Sequence, residues 1–230
     1  MEVKQLTGTG QRESNQDLIY VDKLESGASF FLIADGMGGY EKGDEAAKIV
    51  SENIFTFLNY AEVINEKNIQ KAVQKANLAI KQFNNKNNIK SGATVGGVVI
   101  IENVAHVFWV GDVMVYLTNK NKSLFQTKSH TLINSLFESQ NIKEEKSLDR
   151  YKHIVTRSIS GKRSQSYIGY KSIELINIDS LIICSDGVHN VVSLEQILWT
   201  KNVKNNLIDL ENNFLRESAD NYSIILINFL

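Results

Sequence analysis

The chain has 230 residues, enough for one sizeable hydrophobic core, and we expect a single domain over residues 1–230. Its 25 Lys and Arg balance 26 Asp and Glu, and the resulting net charge of -1 argues against binding nucleic acid or an anionic membrane. A single cysteine, Cys184, excludes an intrachain disulfide framework. No apolar run approaches the ~18 residues of a membrane span, so we expect a cytoplasmic protein.

The N-terminal part of the chain predicts two strands followed by two helices. The strands are Leu18–Asp22 and Phe30–Ala34, which are rich in β-branched and aromatic residues and are bounded by polar turns. Apolar residues then recur at intervals of three and four in Asp44–Leu58 and again in Asn68–Phe83. This spacing gives each helix one apolar face, and we expect both faces to pack against a core.

The middle of the chain predicts three consecutive strands, Thr94–Ile101, Val104–Val110 and Val113–Thr118. Two-residue connections separate them, Glu102-Asn103 first and Gly111-Asp112 second. Connections of this length are typical of β-hairpins. We therefore expect two hairpins here and, because hairpins join antiparallel neighbours, antiparallel sheets.

The C-terminal part predicts two more strands, Ser172–Ile178 and Leu181–Ser185, then two helices, Leu194–Trp199 and Asn205–Arg216, and a last strand, Tyr222–Phe229. Strands and helices thus come in groups rather than in strict alternation. Such grouping favours two packed sheets covered by helices over a parallel sheet with crossover helices.

Acidic residues stand at the ends of four predicted strands. Asp35 and Asp186 each follow an apolar strand and precede a glycine, whereas Asp17 and Asp220 come just before the first and last strands. Two carboxylates at ~4 Å repel by about 4 kcal/mol at an effective dielectric of ~20, so a cluster of acids requires cations. Oxygen ligands suit Mg²⁺ or Mn²⁺ rather than zinc. Asp-Gly pairs are also common in turns, so the spacing alone leaves both interpretations open.

Seven segments of the chain, in order, resemble the type 2C metal-dependent Ser/Thr protein phosphatases, particularly the short bacterial members. The segments are GQRESNQD, ADGMGGYEKGDEAA, SGATVGGVVI, VGDVMVY, HIVTRSIS, CSDGVHNVV and ADNYSIILI, and they cover residues 8–229. The resemblance implies an α+β fold, a four-layer αββα sandwich in which helices flank two antiparallel β-sheets. It also implies a two-metal centre, with Mg²⁺ or Mn²⁺, at one end of the sandwich.

The resemblance also implies a role for each acid. Asp35 would bridge both metals, and the carbonyl of Gly36 would be a further ligand. Asp186 and Asp220 would complete one metal site, with water in the remaining positions. Asp17 matches an acid that acts through metal-bound waters.

Other positions match the family's site or depart from it. Arg12 matches the phosphate-binding arginine, and Asp112 matches an acid that helps to bind a third metal in relatives. Asn190 stands where the other third-metal acid is usual, which leaves a third ion in doubt. Gln16 stands where many relatives have a ligating Glu, so the second metal should be held less tightly. Residues 141–160 resemble the stretch that leads through the family's substrate-side flap.

Two functions of different classes remain open at this point. The resemblance favours metal-dependent hydrolysis of phosphoserine and phosphothreonine in proteins by a metal-activated water, opposing a bacterial Ser/Thr kinase. The alternative is a non-catalytic signalling module that binds phosphoproteins, because Gln16, Asn190 and Lys128 differ from the family's usual residues. In either case we expect a monomer whose partner is a phosphorylated protein.

Overall fold

The computed structural model of the protein describes residues 1–37, 42–120, 122–138, 154–162, 167–200, 206–213 and 215–229. These residues contain ten strands. They are β1 (Glu2–Gly8), β2 (Asp17–Lys23), β3 (Ser29–Met37), β4 (Gly92–Ile101), β5 (Val104–Val110), β6 (Met114–Asn119), β7 (Lys122–Gln126), β8 (Gly169–Glu174), β9 (Ser180–Cys184) and β10 (Tyr222–Asn228).

The same part of the chain contains six α-helices and one short 3₁₀ turn, Leu215–Glu217. The helices are α1 (Gly43–Asn59), α2 (Glu66–Asn87), α3 (Leu132–Glu138), α4 (Asp186–His189), α5 (Leu194–Thr200) and α6 (Asn206–Asn213). Among the described residues, no helix combines the length and the apolar character that crossing a bilayer requires.

The strands form two five-stranded sheets, and every pair of neighbouring strands is antiparallel. One sheet has the order β1-β10-β9-β6-β7, and the other has the order β2-β3-β4-β5-β8. A buried apolar layer that draws on both sheets, with Ile33, Val98, Ile183 and Ile225 among its members, lies between them.

Helices cover the outer faces of the two sheets. Apolar residues of α1 and α2 join β3 and β4 in a second buried cluster, whereas α4, α5 and α6 pack with β9 and β10 in a third. The predicted αββα sandwich is therefore confirmed. Strand β3 shows why its sequence is continuously apolar: Phe30 and Leu32 face the helices while Phe31 and Ile33 face the other sheet.

Helix α2 is confirmed with its predicted apolar face. Its buried residues are Ile69, Ala72, Val73, Ala76 and Ile80. At its start the side chain of Asn65 accepts a hydrogen bond from the backbone N–H of Asn68 at 2.9 Å, a regular N-cap. At its end Asn88 adopts the left-handed conformation with φ 52°.

The connection at Gly111-Asp112 corrects one prediction. It is not a hairpin, because β5 pairs with β4 and β8 in one sheet while β6 pairs with β7 and β9 in the other. Gly111, at φ 104°, carries the chain across from one sheet to the other. The turn at Glu102-Asn103 is the predicted hairpin, because β4 and β5 are antiparallel neighbours and Ile101 pairs with Val104 directly beside the turn.

Other elements differ from the prediction in extent or were missed. Strands β1 and β7 and helices α3 and α4 have no predicted counterpart, and β8 begins and ends earlier than the predicted Ser172–Ile178. The predicted helix Asn205–Arg216 appears as α6 followed by the 3₁₀ turn, with Asn205 outside the described residues. Most of the predicted flap stretch, residues 141–153, also lies outside them.

Candidate active site

Two acids of the helix-covered sheet face each other at its end. Asp17 opens β2, and Asp35 lies near the end of β3, where the antiparallel register makes them direct cross-strand partners. Residues in that position have Cβ atoms about 4.5–5.5 Å apart, and like charges there destabilise a sheet. The fold thus holds two carboxylates together at one edge.

The other sheet brings further acids to the same place. Asp186 follows β9 at the start of α4, and Asp220 precedes β10, the antiparallel neighbour of β9. Both raise the pKa of Asp17 and of Asp35 through charge repulsion, and Asp112 does so for Asp35. The structure therefore brings all five predicted acids into one electrostatic environment.

Burial is the main reason why this environment disfavours carboxylate charge. Desolvation raises the pKa of Asp17 from 3.8 to about 7, with repulsion from Asp186 and Asp220 adding to it and a hydrogen bond from Ser185 opposing it. Desolvation, followed by repulsion from the neighbouring acids, likewise raises the pKa of Asp35 well above its ordinary value. A bound cation would reverse both effects.

A chain of hydrogen bonds ties Asp17 to the opposite sheet. The hydroxyl of Ser185, just after β9, donates to Asp17 Oδ2 at 2.8 Å. The backbone N–H of Ser223 on β10 donates to that same hydroxyl at 2.9 Å, and the Ser223 hydroxyl meets Thr7 Oγ1 at 2.8 Å. Asn15 donates to Thr7 Oγ1 at 2.8 Å. This series of hydrogen bonds therefore ends at Asn15, two residues before Asp17 in the sequence.

Asn221, buried next to Asp220, anchors the loop that carries Arg12 and leads to Asp17. Its Oδ1 accepts from the backbone N–H of Gln16 at 2.9 Å. Its Nδ2 donates to the carbonyls of Thr9 at 3.0 Å and of Ser14 at 2.8 Å. One side chain therefore fixes three backbone positions of the loop.

Gly36 is a point of close backbone approach. Its N–H donates to the carbonyl of Gln16 at 3.1 Å. A Cβ atom at this position would lie 2.6 Å from that carbonyl oxygen and would collide with the carbonyl of Gly43. Only glycine therefore fits here, directly after Asp35.

Arg12 lies at the same edge and pairs with one of the acids. Its Nη2 donates to Asp220 Oδ2 at 2.8 Å, and both side chains are exposed. Asp112 is buried on the crossover between the sheets, where His189 of α4 contacts its carbonyl oxygen at 3.0 Å through Nε2. Asn190 donates to Asp186 Oδ2 at 3.4 Å.

The donor set fits a hard divalent cation. Asp17 Oδ1 is buried and has no hydrogen-bond partner, and burial together with repulsion among the acids raises the pKa of both Asp17 and Asp35. Carboxylate and carbonyl oxygens are the ligands that such ions prefer. Within the described part of the chain, no three His, Cys, Asp or Glu side chains already close on one point as a ligand set.

The sequence interpretation missed the residues that support the acids: Ser185, Ser223, Thr7, Asn15 and Asn221. The signal for two of them was present, because Ser185 directly precedes Asp186 and Asn221 directly follows Asp220. The others belong to strands β1 and β10 or to the loop, and only the pairing of β1 with β10 brings them close.

Fold and site together define a class of protein: a helix-covered β-sandwich with a cluster of acids at one edge that is suited to binding divalent cations. The sequence model of the family Protein phosphatase 2C matches residues 9–219. This chain belongs to that family. A putative protein phosphatase 2C-type of Streptococcus pyogenes is 28% identical over 99% of this chain and 97% of its own length. Protein phosphatase PhpP of Streptococcus pneumoniae is 29% identical over 86% of this chain and 82% of its own.

Solved structures agree with the fold. The serine/threonine phosphatase of S. agalactiae superposes with a TM-score of 0.87 at 24% identity and covers 100% of this chain and 99% of its own. The catalytic domain of the phosphatase PstP, solved with two manganese ions, has a TM-score of 0.77 at 21% identity over 99% of this chain and 97% of its own.

Proposed function

We propose that this protein is a metal-dependent phosphatase that hydrolyses phosphoserine and phosphothreonine in proteins. The observation that carries the proposal is the meeting of Asp17 and Asp35 from one sheet with Asp186 and Asp220 from the other. Membership of the protein phosphatase 2C family and relatives named as protein phosphatases support the same reaction.

The residues that would hold the metal are Asp35, Asp186, Asp220 and the carbonyl of Gly36, with Asp17 acting through water. We propose two Mg²⁺ or Mn²⁺ ions, consistent with the manganese-bound structural neighbour. When bound, such ions activate water for in-line attack on phosphorus and neutralise phosphoryl oxygens. A third ion at Asp112 is left open, because the residue four positions after Asp186 is Asn190.

Arg12 would bind and orient the phosphoryl group. A guanidinium can donate to two phosphate oxygens at once and keeps its charge at any working pH. In the structure its partner is Asp220, so the side chain already reaches the edge where the acids meet. Asn221 and Gly36 position the Arg12 loop and the end of β3 without touching substrate.

The alternative, a non-catalytic phosphoprotein-binding module, is not favoured. The substitutions that suggested it, at Gln16, Asn190 and Lys128, leave the four central acids in place. The relatives described above carry the names putative protein phosphatase 2C-type and protein phosphatase PhpP.

Hydrolysis of p-nitrophenyl phosphate and of a phosphothreonine peptide tests the proposal. Turnover should require Mn²⁺ or Mg²⁺, stop with EDTA and fall by at least about 100-fold in Asp35→Asn. Asp22→Asn is the matched control, because Asp22 is an exposed acid on the neighbouring strand β2, at the end far from Asp17. Metal-independent turnover, or full activity in Asp35→Asn, would defeat the proposal.

We further propose a single catalytic domain over residues 1–230, a monomer located in the cytoplasm, and a role that opposes a Ser/Thr kinase. The apolar layer shared by both sheets and the family match over residues 9–219 support one domain. The one cysteine, which is buried and free, is compatible with a reducing compartment.

A further inference from the structure

Three hydroxyl side chains form a row across one sheet, beside Asp17. Thr7 on β1 pairs with Ser223 on β10, and the backbone N–H of Ser185, just after β9, donates to the Ser223 carbonyl at 3.0 Å. Because side chains alternate along a strand, Ser223 faces the same way as Ile225, which belongs to the apolar layer between the sheets. The row of hydroxyls therefore lies where this layer ends and the acids begin.

Both serine hydroxyls donate to Asp17. A hydroxyl group has one proton and an ionised carboxylate can only accept, so the proton of Ser185 lies on the 2.8 Å bond to Asp17 Oδ2. The backbone N–H of Ser223 donates to the same Ser185 oxygen at 2.9 Å, which fixes this orientation of the hydroxyl. The Ser223 hydroxyl also forms a side-chain hydrogen bond with Asp17. Its one proton is therefore used there, and towards Thr7 it can only accept.

The directions of the two outer hydrogen bonds follow from this. Since the Ser223 hydroxyl accepts, the 2.8 Å contact between it and Thr7 Oγ1 is a donation from Thr7. Thr7 Oγ1 in turn accepts from Asn15 Nδ2 at 2.8 Å. The backbone N–H of Asp17 donates to Asn15 Oδ1 at 3.0 Å, so a second hydrogen bond fixes the orientation of the Asn15 amide. Every hydrogen bond from the Asn15 amide to the Asp17 carboxylate therefore points towards the carboxylate.

The two carboxylate oxygens of Asp17 consequently differ. Oδ2 accepts the hydrogen bond from Ser185, whereas Oδ1 is buried and has no hydrogen-bond partner among the described residues. A buried acceptor without a partner is costly, and a cation, or a water molecule held by a cation, would supply the missing partner. The hydroxyls thus hold the carboxylate in one orientation and leave Oδ1 as the oxygen that is available to an ion.

We propose that Ser185, Ser223 and Thr7 are positioning residues, which orient Asp17 so that Oδ1 serves the metal centre directly or through water. Hydrogen-bond partners of a ligand change the affinity of a site for its ion without touching the ion. Thr7 is the most remote of the three, and it precedes all the segments that resemble the phosphatase family. The proposal rests on the metal-binding part of the proposed function and not on the hydrolysis of phosphoproteins.

The variant Thr7→Val tests the most remote position. Thr7 is exposed on an edge strand, and valine keeps both its shape and its strand preference, so the variant should fold. The full-length protein is titrated with Mn²⁺ without substrate, and free Mn²⁺ is measured by electron paramagnetic resonance. The half-saturation concentration should rise about threefold to tenfold, because one hydrogen bond of the series is lost. Thr7→Ser keeps the hydroxyl and should bind Mn²⁺ as the wild-type protein does.

The variant Ser185→Ala removes the donor to Asp17 Oδ2 itself. The half-saturation concentration should rise by at least about tenfold, which is typical when a hydrogen-bond partner of a metal ligand is lost. The matched control is Ser51→Ala, because the Ser51 hydroxyl is also buried but donates to the carbonyl of Ala47 within α1. This control should leave Mn²⁺ binding unchanged.

A double-variant cycle separates positioning from a general effect on structure. In the Asp17→Asn background, Thr7→Val should have no further effect on the half-saturation concentration, because its influence passes through the Asp17 carboxylate. A purely structural role of Thr7 would instead lower the urea midpoint and leave the affinity for Mn²⁺ unchanged in the wild-type background.

The possible outcomes are distinct. Equal half-saturation in Thr7→Val and the wild-type protein, or the same loss of affinity in both backgrounds, overturns the positioning role. If the wild-type protein binds no Mn²⁺, the metal centre and the positioning role are both wrong. If the Mn²⁺ titrations behave as expected while neither p-nitrophenyl phosphate nor the phosphothreonine peptide is hydrolysed, the proposed function fails and the positioning role stands.

Discussion

Replacing Asp35 by Asn should stabilise the metal-free protein while abolishing its response to metal. Asp35 and Asp17 are direct cross-strand partners, and residues in that relation have Cβ atoms about 5 Å apart. At an effective dielectric of ~20, two full charges at that separation repel by about 3 kcal/mol. The neutral amide removes this repulsion, so the metal-free variant should gain up to about 3 kcal/mol in free energy of unfolding.

The gain should depend on pH with a definite sign. Because the pKa of Asp17 rises from 3.8 to about 7 on folding, the folded wild-type protein retains a proton between these values that the unfolded chain has lost. Without metal, the stability of the wild-type protein therefore falls as pH rises from about 4 to about 7. We expect the advantage of Asp35→Asn to be larger at pH 8 than at pH 6.

Metal binding should reverse the ranking of the two proteins. A ligand at ~1,000 times its Kd stabilises the protein that binds it by about 4.1 kcal/mol, which exceeds the advantage of up to about 3 kcal/mol that the variant has without metal. The wild-type protein should show this gain with Mn²⁺, and Asp35→Asn should lose most of it. Guanidinium unfolding at pH 6 and pH 8, in EDTA and in Mn²⁺, measures all of these values, with Asp22→Asn as the control.

Two results would refute the reasoning about the acids. In one, Asp35→Asn is less stable than the wild-type protein in EDTA at pH 8, which would mean that the carboxylate is not repelled. In the other, Mn²⁺ stabilises Asp35→Asn as much as it stabilises the wild-type protein, which would mean that the ion binds elsewhere.

Two substitutions and one test of thiol reactivity probe the structure around the site. Asn221→Ala should lower the free energy of unfolding by about 2–3 kcal/mol, because it unpairs three backbone groups of the Arg12 loop; a loss below about 0.5 kcal/mol in urea unfolding would contradict that role. Gly36→Ala should cost about 1–3 kcal/mol through the clash with two carbonyl oxygens, and an unchanged urea midpoint would argue against the close approach. Burial raises the pKa of the Cys184 thiol, so Ellman's reagent should react only in denaturant; rapid reaction with the native protein would show that the thiol is accessible.

The sequence predicts those parts of the fold in which local pattern and tertiary role agree. The apolar run Phe30–Ala34 has no alternation because both of its faces are buried, and the stripe on α2 shows the helical period directly. Strands β1 and β7 lie at the edges of their sheet and are largely exposed, so their sequences lack the apolar signal of a strand. Edge strands are held by pairing with a neighbour, which a local pattern does not show.

The sequence predicts which acidic residues form the site but not how they are arranged. Acids after or before apolar strands are visible in the sequence, but their meeting depends on the way in which two sheets stack. Gly111-Asp112 illustrates the limit, because a glycine turn that looks like a hairpin carries the chain between sheets instead. The supporting hydroxyls of Ser185 and Ser223 become meaningful only once β9 and β10 are neighbours.

The division of the acids between two sheets also explains how the fold holds a repulsive cluster of carboxylates together. Asp17 and Asp35 belong to one sheet, whereas Asp186 and Asp220 flank strands of the other, so separating them would open the apolar layer between the sheets. Burial of that layer contributes about 25 cal/mol per Å² of apolar surface, which offsets repulsion of a few kcal/mol. Packing of the two sheets thus holds the carboxylates close together despite their mutual repulsion. A divalent cation that binds there removes this repulsion, and the free energy released adds to its affinity.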